Sequence, residues 1–163
     1  MITLQFCAFD SLAGRIVQFG TQGTCGHASL VLPNGDLLDA QNESGLGGQP
    51  SGVQVRPASY IAENGGYNVV RVSLPTTDEC ASAAYAWALS MVGAEYDLHA
   101  DEGIALNRNW STPGKFICSG LCVGALTQPV PAFIRYPLAK PWRIISPEQL
   151  LILCSAFAPV AAV

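Results

Sequence analysis

The segment around Pro33 and Gly35 constrains the fold more than any other part of this 163-residue chain. Two runs of strand-like residues, 27–32 and 36–41, flank it, and such an arrangement predicts a β-hairpin. A three-residue hairpin loop needs a type I turn followed by one residue in the left-handed conformation. Pro33 suits the first position and Gly35 the last, so the sequence favours a three-residue loop.

The length of this loop decides which side chains share a face of the hairpin. A two-residue turn would put Asp39 on the opposite face from His27. With the three-residue loop, Ser29 faces Asp39 and His27 faces Gln41. Asp39 is then the diagonal neighbour of His27, within side-chain reach. We adopt this register as a hypothesis because it lets these residues act together.

Two residues of the hairpin compete to orient the His27 ring. The carboxylate of Asp39 could accept the imidazole N–H and stabilise the imidazolium. The amide of Gln41 could hold the ring without charge. The alternative is that both are ordinary solvated strand residues.

Cys118 lies where an apolar step, Phe116-Ile117, runs into a predicted helix, 118–126. The dipole and free N–H groups at a helix start stabilise a thiolate, and a neighbouring imidazolium adds to this effect. The competing interpretation is a buried, inert thiol, which is the common fate of cysteine. For Cys122, one helical turn later, we favour the inert interpretation.

The remaining pattern mixes strands with helices, which is typical of an α+β fold, and shows one domain over residues 1–163. Strands are predicted at 3–9, 53–56, 67–74 and 142–145, and helices at 11–19, from a capping box at 76–79, and from Ser146-Pro147-Glu148-Gln149. Residues 42–52 are predicted to form a loop, and residues 97–114 a long loop with some helix. The apolar tail 150–163 is typical of a terminal strand or of an interface between copies of the chain.

Composition excludes several classes of protein. The net charge is −4 and no run of Lys or Arg occurs, so we do not expect nucleic-acid binding. No apolar stretch is long enough to span a membrane. The N-terminus lacks the pattern of a signal peptide, which favours a cytoplasmic protein and six free thiols. Delivery to a cell wall by another route would need no signal.

Together the motifs resemble the NlpC/P60 cysteine peptidases. The run Gly26-His27-Ala28-Ser29-Leu30-Val31 resembles their histidine hairpin, and Asp39-Ala40 matches the spacing of their third catalytic residue. Cys118-Ser119-Gly120-Leu121 resembles their nucleophile motif. The histidine precedes the cysteine here, and this order resembles the circularly permuted, YiiX-like branch. Gly93-Ala94-Glu95-Tyr96-Asp97 and Ser146-Pro147 also resemble elements of that branch.

The resemblance implies a papain-like, circularly permuted fold with an antiparallel sheet packed against helices. It implies catalysis by Cys118 and His27, with Asp39 as the third residue and no metal or cofactor. We assign Tyr96 and Gln41 to the oxyanion or substrate side of the site. The expected reaction is cleavage of an amide bond in cell-wall stem peptides. The alternatives are an acyl-lipid or ester hydrolase or acyltransferase, and a non-catalytic domain that binds cell-wall fragments.

Two other groups of residues are candidate metal sites. Cys25, His27, Asp39 and Cys118 are a candidate zinc set, but Cys25-Gly26-His27 is a poor structural zinc spacing. His99 with Asp97, Asp101 and Glu102 forms an acidic cluster, which we interpret as a solvated loop rather than a site for a divalent ion.

Overall fold

The computed structural model describes residues 1–10, 18–19, 22–42, 50–106, 108–127, 145–157 and 160–162. These residues form an α+β fold around an antiparallel sheet with the strand order β4-β3-β2-β1-β5-β6. The strands are β1 (Ile2–Phe9), β2 (His27–Val31), β3 (Leu37–Gln41), β4 (Gly52–Arg56), β5 (Gly66–Leu74) and β6 (Val160–Ala162). The described helices are α1 (Tyr60–Glu63), α2 (Asp78–Ser90), α3 (Leu98–Leu106), α4 (Cys118–Thr127) and α5 (Pro147–Ser155).

Each face of the sheet buries its own apolar cluster. The larger cluster joins Leu4 of β1 and Leu30 of β2 to α2, α4 and α5. The smaller cluster lies on the other face, where Val31 and Leu37 meet α1. The period of two along each strand explains this division, because Leu30 and Val31 point to opposite faces.

The hairpin has the predicted three-residue loop. Val31 pairs with Leu37, the Leu32 N–H donates to the Asp36 carbonyl over 2.8 Å, and Gly35 has a φ of 91°. A positive φ is strained for residues with a side chain, so the loop depends on this glycine. This register sets Ser29 opposite Asp39, and the hypothesis of a shared face is confirmed.

Helix α4 begins at Cys118, as predicted, and packs on β2, β3 and α2. A side chain at Gly124 would overlap the Trp87 indole of α2, so this glycine allows the two helices to approach closely. The start of α5 is also as predicted: Ser146 and Gln149 form a full capping box.

Some predictions need correction. The N-cap of α2 is Thr77, which accepts from the Cys80 N–H, so no capping box forms at 76–79. The helix begins at Asp78, one residue later than a box with Thr76 as its N-cap implies, and its buried stripe is Ala81, Ala84 and Ala88, while Cys80 is only partly buried. The tail is not one strand: it continues α5 to Ser155 before β6 pairs with β5. The predicted helix at 11–19 and strand at 142–145 fall almost wholly outside the described residues.

Candidate functional site

The hairpin brings His27 and Asp39 into direct contact. The Nε2 atom of His27 donates to Oδ2 of Asp39 over 2.9 Å, and both side chains are buried. The Ser29 hydroxyl lies 3.2 Å from each of these two atoms. The amide nitrogen of Gln41 lies 3.3 Å from Nε2 and 3.5 Å from Oδ2. Asp39 therefore makes the shorter contact of the two residues that compete to orient the ring.

Cys118 completes the group from the start of α4. Cys118 is 5% exposed, and its thiol lies close enough to the His27 side chain to raise the pKa of the imidazole. Because Nε2 is occupied by Asp39, the other ring nitrogen, Nδ1, is the one available to the sulfur. Phe9 packs edge-on against the imidazole, with 5.5 Å between ring centroids, and restricts its rotation. Residues 91 positions apart thus meet in one group of interacting side chains.

The charges and hydrogen bonds around His27 and Asp39 favour the ionised form of both side chains. Burial alone would lower the pKa of His27, but the charge of Cys118 and the hydrogen bonds to Asp39 and Cys118 raise it to about 10. Burial alone would raise the pKa of Asp39, but its hydrogen bond to His27 and the charges of His27 and Arg56 lower it. A neighbouring opposite charge therefore outweighs desolvation at both groups.

Arg56 also belongs to this group of interacting side chains, and the sequence did not predict it. Its Nε donates to Oδ1 of Asp39 over 2.7 Å, and neither side chain is exposed to solvent. In the β3–β4 register Asp39 pairs with Gln54, which makes Arg56 the diagonal neighbour of Asp39. The only sign of this role in the sequence was a single arginine at the end of the predicted strand 53–56. The intervening loop left the register open, so the partner could not be found from the sequence.

Tyr96 lies next to the strand-like step that leads to Cys118. It forms an isolated parallel bridge with Phe116, and the Phe116 N–H donates to the Glu95 carbonyl over 3.1 Å. Its hydroxyl lies close enough to the carboxylate of Asp101 to lower the pKa of that group, and the sequence had predicted a solvated loop for Asp101. Burial raises the pKa of Asp101 to about 6, although Tyr96 and the charge of His27 oppose this. Asp101 is therefore part of the site's surroundings.

The rest of the acidic cluster has separate roles. Asp97 is buried and caps α3: its carboxylate accepts from the N–H groups of Ala100 and Thr112. His99 and Glu102 are exposed and 3.7 Å apart. Within the described residues, no group of three or more His, Cys, Asp or Glu side chains could hold a metal ion.

Glu148 connects α5 to the segment that precedes His27. Its Oε2 accepts from the backbone N–H groups of Thr24, over 2.7 Å, and Cys25, over 3.1 Å. Cys25 is 2% exposed, and burial together with the charge of Glu148 raises the pKa of its thiol. Burial and the raised pKa both disfavour a thiolate at Cys25, although it lies two residues from His27 in sequence, and Cys80 is the more exposed cysteine.

The sequence matches no family model, and the search of curated proteins also found no match. None of the helices in the described part of the chain is long and apolar enough to cross a membrane.

Proposed function

We propose that this chain is a papain-like cysteine hydrolase of the circularly permuted NlpC/P60 type, and that it cleaves amide bonds in cell-wall stem peptides. One observation carries the proposal: the thiol of Cys118, at the start of a helix, lies beside His27, whose Nε2 bonds to Asp39. A nucleophile, a base and a group that orients the base are the parts that covalent catalysis needs.

The architecture supports the same proposal. The helix that begins with the cysteine packs on the two strands, β2 and β3, that carry the histidine and the aspartate. The order along the chain, His27 before Cys118, is the one expected of a permuted member. The two segments that resemble further elements of that branch lie beside the start of α4: the Ser119 hydroxyl donates to the carbonyl of Ile145, next to the Ser146 capping box, and the Phe116 N–H donates to the carbonyl of Glu95.

The reaction follows from these groups. The Cys118 thiolate attacks the carbonyl carbon and forms a C–S bond, while the carbonyl oxygen takes the negative charge. The N–H of Cys118 has no partner within its own helix and can bind this oxyanion, with the Tyr96 hydroxyl nearby. The His27 imidazolium gives its Nδ1 proton to the amide nitrogen as the C–N bond breaks.

Water then releases the acyl group. Neutral His27 removes a proton from the water as its oxygen attacks the thioester carbon. The C–S bond breaks, the carboxylic acid leaves, and the thiolate–imidazolium pair is restored. Throughout the cycle Asp39 stays ionised and holds Nε2–H, so that Nδ1 remains the nitrogen that exchanges protons.

The surroundings favour a polar substrate over an acyl chain. The Asp101 carboxylate and the Tyr96 hydroxyl lie close enough to the pair for their charges to act on it. A lipid tail next to these groups would remove the remaining water from the Asp101 carboxylate, which is costly for a charged group. A peptide offers N–H groups or an amine to the same carboxylate.

Mass spectrometry of products tests the proposal. Muropeptides, unrelated peptides and lipid esters are incubated with wild type, with Cys118→Ala, and with Cys80→Ala as a control at a more exposed thiol. We expect cleavage of a muropeptide amide by wild type and Cys80→Ala, and none by Cys118→Ala. Cleavage of esters alone would place the chain with the acyl-lipid enzymes. Binding of muropeptides without any cleavage would make it a binding domain.

A further inference from the structure

We propose that Arg56 is a positioning residue of this site, and that its guanidinium fixes Asp39 so that the carboxylate presents one oxygen to His27. This inference rests on the proposed function, since it gives Arg56 a part in the same chain of groups. The chain runs from Arg56 through Asp39 and His27 to Cys118.

The two oxygens of Asp39 are divided between two cations. Oδ1 accepts from Arg56 Nε over 2.7 Å, and Oδ2 accepts from His27 Nε2 over 2.9 Å. A carboxylate held through only one oxygen can rotate about its χ2 bond. Held through both, it has one orientation, and this orientation sets the plane of the imidazole.

Arg56 is itself rigidly held. Its Nη2 donates to the carbonyl of Pro50 over 3.1 Å and reaches that of Gly52 at 3.5 Å. Its guanidinium lies over the ring of Tyr60, 4.8 Å from the centroid, in a cation–π contact. These contacts come from β4, from Pro50 just before it and from α1, so the fold places the charge before any substrate binds.

Stability alone does not explain a charged residue here. Arg56 is completely buried, and within the described residues Nη1 has no hydrogen-bond partner. A buried ion pair is often replaceable by apolar residues without loss of stability. An incompletely satisfied buried arginine is therefore better explained by what it does to Asp39 than by a contribution to folding.

Charge balance gives the second reason. A thiolate, an imidazolium and a carboxylate together carry one net negative charge in a buried site, and Arg56 neutralises it. The titratable groups near Asp39 are His27 from β2, Arg56 from β4, Cys7 from β1 and Cys122 from α4, with Cys118 beyond His27. Burial raises the pKa of both Cys7 and Cys122, so these thiols stay neutral.

The test measures how fast iodoacetamide alkylates Cys118 between pH 4 and pH 9, with peptide mapping to separate the cysteines. The wild-type rate reports the thiolate, and no substrate is needed. Arg56→Gln and Arg56→Lys are compared with wild type. Arg71→Gln is the control, because Arg71 is another arginine of the sheet but is only half-buried and bonds to Gln5 instead of Asp39.

We expect the acid limb of the rate profile to move up by about one pH unit in Arg56→Gln, since a neighbouring arginine lowers a carboxyl pKa by about 1–3 units. Once Asp39 is protonated it no longer stabilises the imidazolium, and the thiolate is lost with it. Arg56→Lys keeps the charge without the planar fork, so we expect a smaller shift in the same direction. A purely structural role would lower the rate equally at every pH.

Two failures are distinguishable. If wild-type Cys118 reacts no faster than Cys80 at about pH 6, and His27→Ala changes nothing, the proposed function fails. If wild type reacts as expected but the profiles of the Arg56 variants superimpose on it, only the role of Arg56 is wrong. Should Arg56→Gln not fold by circular dichroism, Arg56→Lys alone decides, because it retains the buried charge.

Discussion

At the scale of single residues, Asp39 accepts hydrogen bonds from more groups than any other side chain of the site. Replacing it by alanine would remove the carboxylate and also leave the buried Arg56 unpaired, which typically costs about 3–5 kcal/mol. Asparagine keeps the shape and removes only the charge. Asp39→Asn is therefore the cleaner variant for separating orientation of His27 from folding.

We expect Asp39→Asn to lower kcat/KM about 10- to 100-fold on the substrate found by mass spectrometry, because a hydrogen bond to a charged group contributes about 1.5–3 kcal/mol. Gln41→Ala, whose amide lies farther from the ring, should lower it less than about threefold, which corresponds to well under 1 kcal/mol. Steady-state kinetics of the two folded variants check this. A greater loss in Gln41→Ala would assign the orienting role to Gln41.

Asp101 gives a second prediction at this scale. Its folded pKa is raised to about 6, against about 3.9 in an unfolded chain. Between these values the folded chain holds a proton that the unfolded chain has lost. The stability from this group is thus fully present below about pH 4 and is lost as the pH rises through about 6.

Asp101→Asn removes this loss. We expect its free energy of unfolding to exceed that of wild type by on the order of 1 kcal/mol at pH 8 and to differ little at pH 4. Urea denaturation at both pH values measures the difference. The exposed Glu63 of α1 provides the control, since Glu63→Gln should leave stability unchanged at both. Equal stability of Asp101→Asn and wild type at pH 8 would argue against burial of an ionised carboxylate.

At the scale of elements, α5 holds the segment in front of β2 through Glu148. Gly23 fits beneath this side chain, because any Cβ there would approach Glu148 to within 2.7 Å. Burial opposes ionisation of Glu148, but the N–H groups of Cys25 and Thr24 lower its pKa. Its contribution is therefore present above the unfolded pKa of about 4.3 and is lost as the pH falls through the lower folded value.

We expect Glu148→Ala to lower the free energy of unfolding at pH 7 by about 1–2 kcal/mol, the loss of hydrogen bonds to a charged acceptor. The difference from wild type should shrink towards pH 3. Urea midpoints at pH 7 and pH 3 measure it, with Glu63→Ala on the exposed side of α1 as the control. A difference that is the same at both pH values would show that the charge of Glu148 does not contribute.

The same elements show what could be predicted from the sequence. The hairpin register followed from Pro33 and Gly35, because a loop conformation that needs a positive φ admits few residues. The start of α4 at Cys118 and the Ser146 capping box were also local signals. The contacts of Arg56, Asp101 and Glu148 were not predictable, since each depends on where distant segments dock. The helical pattern of α2 was found, but its first turn was placed too early.

At the scale of the whole molecule, both ends of the described chain enter one core. Ile2 and Leu4 of β1 share the larger apolar cluster with Leu150 and Cys154 of α5, and all four are fully buried. Helix α4, with Cys118 at its start, packs against β2 and α5. The site therefore depends on a core that spans the length of the chain, and the prediction of one domain over residues 1–163 leads to a direct test.

We expect urea unfolding at pH 7 to show one transition, with tryptophan fluorescence and far-UV circular dichroism coinciding. Leu150→Ala should lower the free energy of unfolding by about 2–5 kcal/mol, because it leaves a cavity in the shared core, and should shift both signals together. Ile152→Ala is the control on the same helix, since Ile152 is 61% exposed and should change stability little. Separate transitions, with only one moved by Leu150→Ala, would show that α5 and the sheet unfold independently, and that the residues meeting at Cys118 belong to two cooperative units.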